Sequence, residues 1–234
     1  MNPIIEIDHL SFHYPDGKVA LSEISLKVMP GEKIALVGAN GAGKSTLLLH
    51  LNGIFEGSGQ ILIGGMEVEK KNLGLIRGQV GLVFQNPDDQ LFSPTVYEDV
   101  AYGPIYQGLG EKVVREKVEQ ALAAVHMSDY AGRNPYHLSS GEKKRIAIAT
   151  VLSMQPRILV LDEPTSGLDP RARRELIELL RELPQTMLIA THDLALAENL
   201  TPRTVVLDQG AIAADGPTAE ILADESLLLA HGLS

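Results

Sequence analysis

The stretch Gly38-Ala39-Asn40-Gly41-Ala42-Gly43-Lys44-Ser45-Thr46 carries the most explicit chemistry in this sequence. It matches G-x-x-x-x-G-K-[ST] and lies between an apolar run at 33–37 and a helical pattern at 44–51, the context in which such a loop cradles phosphates. Its glycines let successive backbone N–H groups converge on phosphate oxygens without side-chain obstruction. The start of the following helix adds free donors and a favourable dipole. Lys44 supplies positive charge to β- and γ-phosphates, and the Ser45 hydroxyl is placed to bind Mg²⁺. The acidic partner that this chemistry needs is in Ile158-Leu159-Val160-Leu161-Asp162-Glu163. Asp162 emerges at the C-terminal end of an apolar strand, where ligands bind in open α/β sheets. The division of labour is Asp162 for the metal and Glu163 for orienting and deprotonating an attacking water.

These residues need strands and helices to hold them. Residues 4–12, 21–28 and 60–63 alternate apolar and polar side chains, as half-buried strands do, with Asp16-Gly17 and Pro30-Gly31 as turns. The run at 33–37 reads as a strand buried on both faces. In the helix predicted at 44–51, Leu47, Leu48 and Leu51 share one face. Residues 79–84 read as a further strand, and helical patterns then dominate at 96–106, 111–125 and 140–153. After them strand 158–161, helix 171–183, strand 187–190, helix 194–199 and strand 204–207 alternate. Alternation of this kind predicts an α/β fold with a mostly parallel sheet and helices on both faces. The tail at 218–234 reads as short helices. The organisation predicted is one domain over 1–234: a nucleotide-binding core with a β subdomain in 1–86 and 155–234, and a helical subdomain inserted at 87–154.

Composition excludes several other functions. The formal net charge is −10, which argues against a nucleic-acid binder, because phosphate-backbone contacts need clustered Lys and Arg. With no cysteine, disulfides, thiol catalysis and iron–sulfur ligation are ruled out. The N-terminus lacks the basic start and apolar run of a signal peptide. No apolar run approaches the ~18 residues needed to cross a bilayer, so no direct membrane insertion is expected. The seven histidines are scattered without ligand spacing.

Further motifs follow in a fixed order: Gln85 after a predicted strand, Leu138-Ser139-Ser140-Gly141-Glu142, Ser166-Gly167-Leu168-Asp169 and Thr191-His192-Asp193, with Tyr14 ahead of them. With these the chain resembles the ATP-binding subunits of ABC transporters over nearly its whole length. The resemblance implies the RecA-like P-loop NTPase fold with an N-terminal antiparallel β subdomain. It also implies ATP and Mg²⁺ as ligands, and an ATPase working as a nucleotide-sandwich dimer. Glu163, His192 and Lys44 would be catalytic, His192 sensing the γ-phosphate. Gln85 would join Ser45 and Asp162 at the metal. Ser139, Ser140, Gly141 and Glu142 would contact the γ-phosphate held by the other subunit, and Asp169 would belong to the D-loop. Ser140 and Glu142 stand where the family has glycine and glutamine. Tyr14 would stack on adenine; beside Phe12, a core or turn role is the alternative.

The stretch from Phe84 to Val96 and the following Tyr97-Glu98-Asp99-Val100-Ala101-Tyr102-Gly103-Pro104 resemble the energy-coupling factor (ECF) group of importers. Gly141-Glu142-Lys143-Lys144-Arg145, Asp208-Gln209-Gly210 and Ala214-Asp215-Gly216-Pro217 are most similar to its cobalt and nickel branch, with the vitamin importers as the rival. The resemblance implies a homodimer, or a pair with a paralogous ATPase, on the cytoplasmic face of the cell membrane. Its partners would be a transmembrane scaffold and, through it, a substrate-binding membrane subunit. Leu91, Phe92 and Val96 either form an exposed patch for a helix of that scaffold or pack into the helical segment itself. A soluble ABC protein of translation or DNA repair is the rival class. The chain has one such domain rather than two, and no heptad repeat between Lys44 and Leu138.

Overall fold

The apolar runs at the centre of the chain decide the architecture. β3 (Lys33–Val37), β7 (Ile158–Asp162) and β8 (Thr186–Thr191) are buried almost throughout, as strands covered on both faces must be. The computed structural model describes residues 2–233; Met1 and Ser234, the two ends of the expected 1–234 domain, lie outside them. Among the described residues these strands belong to a six-stranded sheet of order β10-β9-β3-β8-β7-β6, with β6 at Val80–Val83, β9 at Arg203–Asp208 and β10 at Ala211–Pro217. β6, β7, β8, β3 and β9 are parallel, and β10 returns antiparallel along β9. A second sheet, β2-β1-β4-β5, is antiparallel: β1 (Ile5–His13), β2 (Val19–Val28), β4 (Ser58–Ile63) and β5 (Met66–Glu67).

Side chains alternate across a strand, so the parallel sheet divides the core in two. Leu159, Leu161, Met187 and Ile189 pack with Val100, Val118, Ile146 and Leu180. Those four come from α3 (Val96–Tyr106), α4 (Glu111–Ala124), α5 (Ser140–Leu152) and α6 (Pro170–Glu182). Ile158, Val160, Leu188 and Ala190 face the other way, toward Leu47 of α1 (Lys44–Leu51) and toward Ile5, Ile24 and Ile63 of the antiparallel sheet. Beside β3 and β9, Ala35, Val37 and Val206 are covered by α7 (Leu194–Leu200), α8 (Thr218–Ala223) and α9 (Glu225–Ala230).

The structure departs from the sequence expectations in four places. α1 buries Thr46 and His50 as well as its leucines, because it touches β2 on one side and β7 and β8 on another. α2 (Leu73–Gln79), β5 and β10 were not anticipated: α2 buries one residue, Ile76, and β10 is built of small residues on the sheet edge. Gln79 ends α2 and does not begin the next strand. The expected apolar patch splits. Leu91 and Val96 are 2% and 0% exposed and belong to the core, and Phe92 is 60% exposed. A capping box between Thr95 and Glu98 starts α3 and turns Val96 inward.

Candidate active site

The parallel strands deliver the site. β3 ends at Val37 and the chain turns through Gly38 into the glycine loop. A β-carbon on Gly38 would lie 2.3 Å from the Leu207 carbonyl oxygen, so only glycine lets the loop lie against β9. Gly43 is the N-cap of α1 with φ 106, and its β-carbon would lie 2.6 Å from the Ala20 carbonyl oxygen. No side chain caps the helix, so its first N–H groups remain available to an anion. Ala39 and Ala42 close the loop through an Ala42 N–H to Ala39 carbonyl bond of 3.1 Å.

Lys44 folds back over this loop. Its Nζ donates to the carbonyls of Gly38 (2.7 Å) and Ala39 (3.2 Å) and stands 3.8 Å from Glu163 Oε1. Burial lowers its pKa, against the opposing pull of Glu163 and Asp162. Asp162 ends β7. Burial raises its carboxyl above the usual range, and the Ser45 hydroxyl beside it acts the other way. Asp162 Oδ1 is buried with no partner. An orphaned carboxylate oxygen next to a serine hydroxyl is a hard-oxygen donor pair, which suits Mg²⁺.

Glu163 follows with φ 44, a left-handed conformation that costs a non-glycine residue about 1–2 kcal/mol. That turn separates its side chain from Asp162 and points it at the neighbouring strand end. Oε2 lies 2.9 Å from His192 Nδ1 and accepts longer bonds, 3.4 Å each, from the His192 N–H and the Thr191 hydroxyl. Asp193 anchors the histidine segment: it caps α7, accepts from the Thr165 hydroxyl at 3.0 Å and pairs with Arg173 of α6.

A cleft of about 450 Å³ opens between these elements. Of the expected residues it gathers Tyr14, Asn40, Gly41, Gly43, Lys44, Ser45, Thr46, Gln85, Glu163 and His192. Tyr14 donates or accepts a 2.8 Å bond with the Thr46 hydroxyl, and its ring packs edge-on against Phe12 and Phe55. It therefore lines the cleft and belongs to an aromatic cluster as well. Lys18, Val19, Ala20 and Ser166 also line the cleft and were missed. The β1–β2 hairpin brings the first three; the strands at 4–12 and 21–28 and the Asp16-Gly17 turn signalled the hairpin but not its approach to the glycine loop, and Ser166 lay within the motif ending at Asp169.

Ser139, Ser140, Gly141 and Glu142 do not line this cleft; they start α5 elsewhere. Ser139 caps the helix, and Glu142 Oε2 accepts from both the Ser139 N–H and hydroxyl at 2.8 Å. The Tyr130 hydroxyl donates to Glu142 Oε1 at 2.7 Å and holds the carboxyl below its ordinary range. An acid thus suits position 142: every neighbour it meets there is a donor. Asp169 caps α6, accepting from the N–H groups of Arg171 and Ala172.

The ABC transporter family model matches residues 21–166. A provisionally named ABC transporter ATP-binding protein of Streptomyces avermitilis is 52% identical over 232 residues, covering 99% of this chain and 88% of the relative. The energy-coupling factor transporter ATP-binding protein EcfA of Methanothermobacter thermautotrophicus is 51% identical over 231 residues, 96% of this chain and 74% of its own. Among solved structures, CbiO1 of Clostridium perfringens, part of the ABC transporter complex CbiONQ, superposes with a TM-score of 0.88 at 37% identity. It covers all of this chain and 96% of its own.

Proposed function

The chain belongs to the ABC transporter family as an ATP-hydrolysing subunit, and we propose that it drives an ECF-type importer of cobalt or nickel ions from the cytoplasmic face of the membrane. The observation that carries the ATPase mechanism is the cleft itself, where an uncapped glycine loop and the Glu163–His192 pair meet, with the orphaned Asp162 oxygen buried behind the cleft-lining Ser45. The ECF assignment is supported by the EcfA relative, and the metal branch by the CbiO1 likeness. A vitamin importer is the alternative cargo.

In this reading the loop N–H groups and Lys44 hold the β- and γ-phosphates, and the adenine rests on Tyr14. Ser45, Asp162 and Gln85 would hold Mg²⁺, which would supply positive charge against the negative charge developing on the phosphates. Glu163 orients the attacking water and takes its proton, and His192 holds that carboxylate and meets the γ-phosphate. The Ser139 tip of α5 and Asp169 lie outside the cleft of their own protomer and serve the nucleotide of a second copy. ATP therefore favours a closed dimer in which both half-sites are engaged. Shifting such an equilibrium from 1:99 to 99:1 takes about 5.5 kcal/mol of differential binding. In the helical segment 87–154, the exposed Phe92, Tyr102, Ile105 and Tyr106 offer an apolar surface to a membrane scaffold. Among the described residues no helix is long and apolar enough to cross a membrane.

Glu163→Gln tests the mechanism: kcat drops by on the order of 10²–10⁴, and size-exclusion chromatography with Mg-ATP shows a trapped dimer. A variant that still turns over at the wild-type rate removes Glu163 from its role. Co-purified integral membrane proteins and ⁵⁷Co²⁺ uptake by the reconstituted complex test the importer. Vitamin uptake in place of metal uptake would select the alternative cargo.

A further inference from the structure

One buried cation behind Glu163 has no part in the chemistry above. Lys143, Lys144 and Arg145 follow one another on α5. Lys143 pairs with Asp88 at 2.7 Å on the surface, and Arg145 pairs with Glu175. Lys144 turns inward and is 4% exposed. A buried ammonium is costly unless its donors are occupied. Its Nζ donates to the Gln85 carbonyl at 2.9 Å and to the Glu163 carbonyl at 2.9 Å. Burial pulls Lys144 down to about 8 against the attraction of Glu163 and Asp162.

Both acceptors are main-chain oxygens of segments that reach the cleft. Glu163 is left-handed at φ 44, and a strained residue keeps such a conformation only where its surroundings over-determine it. Here its N–H donates to the Ala190 carbonyl at 2.9 Å, and its own carbonyl accepts from the Ser166 N–H at 3.1 Å within the turn and from Lys144 at 2.9 Å from outside it. The two peptide groups flanking the strained Cα are thus both held by hydrogen bonds, and the carboxylate is aimed at His192. The second bond ties the Gln85 segment to the same ammonium.

We propose that Lys144 is a positioning residue for hydrolysis, joining the Glu163 backbone and the start of the Gln85 segment to α5. The carboxylate then takes its working place only when α5 is seated. A displacement of the Ser139 tip, five residues earlier on the same helix, is felt at the protomer's own Glu163. The inference rests on the assignment of Glu163 made above.

The test is steady-state Mg-ATP hydrolysis by the purified chain, with nucleotide affinity read by a fluorescent ATP analogue and folding by thermal melting. Lys144→Met, similar in length but without donors, lowers kcat at least ~10-fold and leaves KM and analogue affinity within about twofold, because loss of alignment acts on the chemical step. Lys144→Arg, which keeps donors, recovers most of that loss. If Lys144→Met does not fold, Lys144→Gln is held to the same kcat criterion. A folded Met or Gln variant with kcat within about twofold of wild type overturns the proposal. So does a joint fall of kcat and nucleotide affinity that Lys144→Arg fails to recover. Glu163→Gln run alongside separates the two readings. If it keeps turnover, both fail; if it is inactive while Lys144→Met is normal, only the role of Lys144 fails.

Discussion

At the start of α1 no side chain accepts from the first-turn N–H groups, and a glycine with φ 106 stands at the cap. At the start of α5 Ser139 and Glu142 close a reciprocal capping box, reinforced by Tyr130. Both helices have the same four orphan donors to satisfy. The first leaves them for an outside anion, and the second satisfies part of them within its own chain. The α1 tip is therefore a ready phosphate cradle, whose stability rises when an anion arrives. The α5 tip holds its shape without a ligand and can meet a phosphate only by presenting donors the box leaves over. In the proposed mechanism the first half-site would bind nucleotide within the single chain, and the second would serve the nucleotide of a second copy.

The largest expected effect that would break this comparison is at Asp162, beside the α1 tip. Asp162→Asn lowers Mg-ATP hydrolysis by on the order of 10² or more. It also removes the charge of a buried carboxylate whose pKa burial raises and whose Oδ1 has no partner. A group with a folded pKa above its unfolded value lowers stability as pH rises through that interval. At neutral pH the nucleotide-free variant therefore melts at a higher temperature than the wild type. An unchanged melting temperature would mean that the carboxylate is not strained.

The two glycines sharpen the contrast next. Gly43→Ala meets both a positive φ and the Ala20 carbonyl, and ATP affinity falls at least ~10-fold in a fluorescence titration, given a strain of about 1–2 kcal/mol before any clash. Gly141→Ala meets only the Ala172 β-carbon at 3.1 Å within a helix; single-chain affinity stays within about twofold. Equal losses at both positions would erase the difference between the tips.

Ser139→Ala removes a cap worth about 0.5–2 kcal/mol, read as a lower melting temperature. Mg-ATP-dependent dimerisation of a Glu163→Gln background weakens in the same variant, with single-chain nucleotide affinity unchanged. The smallest effect is at Glu142. Its folded pKa is depressed, first by the Tyr130 hydroxyl and then by Ser139, so its contribution is present above the unfolded value and is lost as pH falls through the folded one. The stability gap between wild type and Glu142→Gln, measured by urea unfolding, closes on acidification through the carboxylate range. A gap independent of pH would remove the charge from the account.

Legibility followed distance along the chain. The glycine loop, Lys44, Ser45, Asp162 and Glu163 could be read because each lies within a few residues of the strand that presents it, and strand, turn and helix carry strong local patterns. Most of the parallel strands were readable for the same reason, since burial on both faces leaves continuous apolar runs. β10 escaped because its small residues on a sheet edge carry little apolar alternation. The split of Leu91 and Val96 from Phe92 escaped because apolarity states a preference for burial without saying which side chain obtains it. Lys18 and Ala20 reached the cleft because the hairpin, readable from its two strands and turn, lies against the glycine loop, a long-range contact that no local pattern announces.

By itself, then, the sequence determined the glycine loop at 38–46 and the order of the acidic and histidine groups that follow it, because those depend on residue type and spacing over short stretches. Tertiary structure decided the rest: the left-handed turn at Glu163, its approach to His192, the orphaned oxygen of Asp162 and the inward path of Lys144. These are properties of groups far apart in the chain, and which of them lose water and which find partners is settled only when the sheet and helices close around them.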